Sequence, residues 1–200
     1  MSSSSTPPAS SGTEALATPA ALRRYLRASR WFVGYTIGVI LWGAFVRASL
    51  SGDGCGDHWP LCNGETVPVD PSMKTVIEFG HRLTSGLAWL LALAFVVASR
   101  RRFDPGHPAR TGAVAGLVFM TLEALIGAGL VRTRMVADNP DSARGYWAAG
   151  HLVNTFLLLT ALTLHAHWAS GARRVERGSD RWAFFSVFAL LAVVGATGAI

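Results

Sequence analysis

Three sets of residues in this 200-residue chain have the types and spacing that chemistry uses. The first is Cys55 and Cys62 in "SGDGCGDHWPLCNG", the only two cysteines, set around a Trp-Pro among glycines and aspartates. Such a pair can staple a loop, exchange electrons as a dithiol or, with His58, contribute to a zinc site. The second is Glu78 and His81 in "TVIEFGHRLTSG", three residues apart and therefore on one face of a helix. The third is His151 in "GYWAAGHLVNTFLLL". A carboxyl group one turn from an imidazole suits proton transfer, and two imidazoles at one depth suit axial ligation of a heme iron.

The elements that must position these groups belong to a membrane. Half of the chain is apolar, only 15% is charged, and mean hydropathy is +0.34, outside the range of ordinary soluble domains. Charges fall in clusters between apolar runs as long as a bilayer core requires, roughly 17 to 25 residues of helix. The runs are 31–46; 75–99, with Glu78, His81 and Arg82 in its opening turns; 111–131, with Glu123; a stretch between Arg144 and Arg173 with three histidines; and 182–200. Runs this long satisfy their backbone in lipid only as helices. The expectation is an all-α integral membrane protein, a four-helix transmembrane bundle plus a fifth, terminal helix. Residues 1–22, rich in Ser, Thr, Pro and Ala, read as a disordered N-terminal segment without the basic start and apolar core of a signal peptide. Residues 23–171 read as the heme-binding bundle, and 172–200 as a loop and the start of the fifth helix.

Arginines set the orientation. Arg23, Arg24, Arg27 and Arg30 precede the first span; Arg100, Arg101, Arg102 and Arg110 join the second to the third; Arg173, Arg174, Arg177 and Arg181 follow the fourth. These belong on the cytoplasmic side of the cell membrane, with the N-terminus, and the Cys55–Cys62 loop then faces outward. The net charge of +6 records topology, so no nucleic-acid partner is expected. On the outer face thiols oxidise, which makes a disulfide the default for Cys55 and Cys62, stabilising by about 2–3 kcal/mol on the chain-entropy account. A zinc site with His58 lacks a fourth ligand.

Spans two and four enter from the outer face, and His81 and His151 lie about 8–12 Å inside at 1.5 Å per residue. They are level, on what the sequence suggests are neighbouring parallel helices, with Gly80, Gly86, Ala148, Ala149 and Gly150 nearby leaving room for a flat macrocycle. Glu78 has a plainer alternative, a pair with Arg82 four residues on. His165 lies fourteen residues after His151, the spacing that bridges two stacked hemes, but span two offers Phe95 at the matching place. His165 and His167 are therefore expected at the inner interface, with Trp168. Glu123 can face the heme cavity or bond another helix. Arg47 and Arg82 can hold propionates or anchor at the interface.

Taken together, "GAFVRASLSGDGCGDHWPLCNGETVP", "IEFGHRLTSG" and "GHLVNTFLLL" resemble the heme A synthase family. The resemblance implies an eight-helix, pseudo-symmetric membrane oxidoreductase of two four-helix halves. It would convert heme O to heme A by oxidising a porphyrin methyl to formyl, for cytochrome oxidase assembly. It further implies substrate heme between His81 and His151 as iron ligands, Glu78 as the catalytic residue, a Cys55–Cys62 disulfide, and a heme b in the second half. Implied partners are heme O, dioxygen or water, a membrane electron donor, heme O synthase, the lipid bilayer and a second copy of the chain. The sequence stops inside its fifth apolar run, "AVVGATGAI", and reads as the first half of such an enzyme with a truncated second. Two other classes use the same residues: a non-catalytic b-type electron-transfer cytochrome, and a membrane thiol oxidoreductase acting through Cys55 and Cys62, for which a second, relaying cysteine pair is missing.

Overall fold

The computed structural model of the chain describes residues 19–136 and 139–171. They form four α-helices, α1 (Pro19–Ala48), α2 (Met73–Arg102), α3 (Pro108–Arg132) and α4 (Ala143–Ala169). No strand occurs among the described residues; an isolated bridge pairs Cys62 with Glu65. All four helices are long and apolar enough to cross a membrane. The first four expected spans are present, and α1, α2 and α3 overshoot their apolar runs, because a helix that leaves lipid keeps its backbone bonds in the headgroup region. The overshoot is largest in α1, so Pro19–Leu22 form its first turn and do not belong to a disordered segment 1–22. Residues 1–18, and the fifth span with the loop before it, 172–200, lie outside the described residues.

Local chemistry sets the ends. Ser72 caps α2 by accepting the Thr75 N–H, and α3 starts with Pro108 behind His107, whose ring accepts the Ala109 N–H, a position where proline's missing donor costs nothing. Three arginines, Arg100, Arg101 and Arg102, fill the last turn of α2, where cations suit the helix dipole.

The helices form a four-membered ring in which each packs on its chain neighbours and α1 closes on α4, while the diagonal pairs meet only marginally. Each side of the ring is pinned by at least one hydrogen bond: Tyr35 to the Thr84 carbonyl between α1 and α2, Trp89 to Thr121 between α2 and α3, Asn154 to the Phe119 carbonyl between α3 and α4, and Tyr25 to His165 between α1 and α4. The tightest side is α3 with α4. A Cβ on Gly112 would stand 2.9 Å from the His165 Cα, and one on Gly116 would stand 2.7 Å from Leu162. Small residues at these places let two backbones approach as dispersion-driven packing in lipid requires. Phe32, Ala88, Ala92, Met120, Leu158 and Leu162 form the buried core. One consequence corrects the sequence reading: α2 and α4, the carriers of His81 and His151, are diagonal across the ring and not neighbours.

Candidate functional site

The connection between α1 and α2 folds back on the start of α2. Cys55 and Cys62 are bonded to each other and fully buried, and the Gly54 backbone lies so close to α2 that a Cβ there would come within 2.4 Å of the Lys74 carbonyl carbon. Glu78 and Arg82 hold this loop down. One Glu78 oxygen accepts the Cys55 N–H at 2.8 Å, and the other accepts Arg82 Nε at 3.1 Å and Nη2 at 2.5 Å. Arg82 Nη1 in turn donates to the carbonyls of His58 and Leu61, both at 2.6 Å. Glu78 is 3% exposed, and the three charge-assisted bonds satisfy a buried carboxylate that would otherwise be costly. The pairing with Arg82 that the sequence offered as an alternative is the one formed. Arg82 is a clamp on the loop backbone, a use its position in the sequence did not disclose.

One turn on, His81 points inward from α2. Its Nδ1 is buried with no hydrogen-bond partner, and its ring lies where α1 has no side chain: a Cβ on Gly43 would sit 2.9 Å from Cε1 and 3.1 Å from Nε2. On α4, His151 directs Nδ1 onto Oε2 of Glu123 of α3. The other Glu123 oxygen accepts the Thr155 hydroxyl at 2.6 Å. His151 and Glu123 lie within electrostatic reach of His81, so α2, α3 and α4 converge on one region near the loop end. Beside it an apolar recess of about 320 Å³, lined by Ile126, Tyr146, Trp147 and Gly150, opens on α3 and α4. Glu123, which the sequence left between two uses, bonds the neighbouring helix and belongs to the site at once. Gly43 was not singled out, since a glycine in an apolar run carries no signal until the helix opposite it is known.

His165 departs from expectation. It is 2% exposed, not interfacial: its Nδ1 donates to the Ala109 carbonyl at 2.8 Å, and its Nε2 accepts the Tyr25 hydroxyl at 3.0 Å. Phe95 meets the ring edge-on at 5.7 Å. Both nitrogens are used, which leaves no lone pair for iron. His58 is half exposed on the loop beside Asp57, its two cysteine neighbours are committed to the disulfide, and among the described residues no group of three or more His, Cys, Asp or Glu is gathered around a metal-sized space.

Bis-imidazole ligation of heme needs one nitrogen lone pair from each side and an edge free of side chains. His81 meets the first requirement with an unpartnered buried ring nitrogen, and His151, with Nδ1 on a carboxylate, keeps Nε2 available. Gly43 and Gly127 meet the second; a Cβ on Gly127 would come no nearer than 4.0 Å to His151 Nε2. The residues fit the group.

Residues 29–200 match the family model COX15-CtaA, described as cytochrome oxidase assembly protein. A Thermus thermophilus protein named protoheme IX farnesyltransferase is 47% identical over 177 residues, which cover 84% of this chain and 29% of that protein. The heme A synthases of Bacillus mycoides and Bacillus cereus are each 45% identical over 93 residues, 46% of this chain and 30% of theirs. The chain thus spans less than a third of the length of these relatives. No solved structure matches it.

Proposed function

Because the chain belongs to the COX15-CtaA family of cytochrome oxidase assembly proteins, we propose that it is the substrate-heme half of a heme A synthase. The reading is of a multi-pass plasma-membrane oxidoreductase that takes heme O and oxidises a porphyrin methyl to formyl. The observation that carries it is the pair His81 and His151, from diagonal helices, one with an unpartnered buried nitrogen and the other with Nε2 available. Bound heme supplies the redox-active iron, which with dioxygen or water and a membrane electron donor provides the oxidising power that a methyl carbon demands.

The chain's residues have separate tasks. His81 and His151 hold the macrocycle between α2 and α4. The disulfide loop, seated on Glu78 and Arg82, covers the outer end and keeps water out. Glu78, one turn from His81, is the acid–base group; its oxygens are already engaged, so it exchanges a proton only when Arg82 or the Cys55 amide releases it, and proton delivery is tied to the seating of the loop. The Thermus relative's name, a protoheme IX farnesyltransferase, supports a heme-modifying setting with heme O synthase as a partner.

Glu78→Gln in the whole protein tests the reading. Heme should be retained and heme A output should fall roughly 10²-fold or more, the range for loss of a general acid or base; normal output would sink the assignment of Glu78. One observation favours a second reading, the b-type electron carrier: Glu78 is satisfied as a structural clamp. Mass spectrometry of extracted heme separates the two, since a carrier yields only unaltered heme.

A further inference from the structure

Glu123 has two features that a helix-bonding carboxylate does not need. It lies mid-span in α3, largely buried at 12% side-chain exposure, with Oε2 against His151 Nδ1, and Oε1 takes the Thr155 hydroxyl at 2.6 Å. Thr155 also lies 3.0 Å from the His151 carbonyl, but a hydroxyl has one proton, and the shorter bond to a carboxylate takes it. A carboxylate oxygen set against Nδ1 serves as an acceptor there, an arrangement that suits a proton on Nδ1 and the imidazole lone pair on Nε2. One turn along α3, Gly127 keeps the space beside that Nε2 clear of side chains. His81 is unlike this, since no carboxylate stands against its buried Nδ1 as Glu123 stands against that of His151. The two imidazoles are therefore inequivalent.

Resting on the reading of His81 and His151 as heme ligands, we propose that Glu123, steadied by Thr155, is the positioning residue that fixes His151 in the Nδ1–H tautomer and strengthens Nε2 as the iron's donor. A carboxylate on the far nitrogen of a ligating histidine fixes the ring and raises its basicity. More electron density on the iron favours the ferric state and lowers the heme midpoint potential. The His81 side supplies no such push, so the potential is set from α3 and α4.

The test uses the full chain in detergent, titrated with hemin, with affinity, absorption spectrum and midpoint potential as readouts. Glu123→Gln keeps an acceptor for Nδ1 but no charge: the six-coordinate spectrum should stay and the midpoint rise. Glu123→Ala should weaken hemin binding about 10- to 100-fold, the usual cost of removing such a partner. Thr155→Val should move the midpoint the same way by less. An unchanged or lowered midpoint in Glu123→Gln overturns the proposal, as does hemin loss there as complete as in His151→Ala. If Glu123→Ala does not fold, the Glu123→Gln midpoint decides. Should His81→Ala and His151→Ala both keep the parent spectrum, the ligand reading itself fails; if they abolish it while Glu123→Gln stays at the parent midpoint, the Glu123 inference alone fails.

Discussion

Two corners of one bundle hold histidines and treat them oppositely. At the corner of α1, α3 and α4, His165 has a backbone carbonyl on Nδ1 and a hydroxyl on Nε2, aromatic rings against its edge, and the Gly112 backbone at its root. At the loop end, His81 leaves Nδ1 unpartnered, His151 keeps Nε2 clear, and glycines stand where side chains would fill the space. The difference that bears on the proposed ligation is not burial, which is deeper for His165 than for His151. What separates them is whether the protein has used both nitrogens, because a buried polar atom left unmade is costly and is tolerated where something else completes it.

The largest expected effect breaks the contrast at the corner of the proposed ligands, His81 and His151. His81→Ala or His151→Ala should each abolish the six-coordinate hemin spectrum, while His167→Ala, exposed in the last turn of α4, should leave it intact. Unchanged spectra in both would end the distinction.

The opposite outcome is expected at the other corner. His165→Ala removes a buried ring and strands the Tyr25 hydroxyl and the Ala109 carbonyl, so thermal denaturation should show a loss of about 2–4 kcal/mol with the heme spectrum retained. Heme loss without loss of stability would make His165 a ligand and collapse the comparison.

The loop between α1 and α2 gives a smaller effect. Cys55 and Cys62 are bonded, so alkylating reagents should label the protein only after reduction, and reduction should cost about 2–3 kcal/mol. Ready labelling of freshly isolated, unreduced protein would refute the bond.

The smallest effect lies where the α1–α2 and α3–α4 loops meet. Arg134 donates to Asp57 at 2.9 Å, and that hydrogen bond and charge hold the exposed Asp57 carboxyl below its ordinary range. A depressed carboxyl stabilises the fold above its unfolded value, near 4, and the contribution fades as pH falls through the lower folded value. Asp57→Asn should flatten the pH dependence of stability slightly below pH 4, most visibly at low salt. A loss in the variant that grows as pH falls would contradict that sign.

What the sequence determined about this protein is what hydropathy and spacing determine. Apolar runs bounded by arginines give four membrane-length helices, since lipid allows few other solutions, and residue spacing along one helix puts Glu78, His81 and Arg82 on one side of α2. Even the Glu78–Arg82 pair was legible, because it is local. Tertiary structure decided everything that runs between helices. That α2 and α4 are diagonal, that Arg82 reaches the carbonyls of His58 and Leu61, that Glu123 meets His151 and that His165 is satisfied by Ala109 and Tyr25 each depend on how one helix is rotated against another. Periodicity marks which residues share a face but not which helix that face will meet. In a membrane bundle the rotation is fixed by close packing at residues such as Gly112 and Gly116 and by a few interhelical hydrogen bonds, not by a gradient of hydrophobicity, because lipid is as apolar as the core.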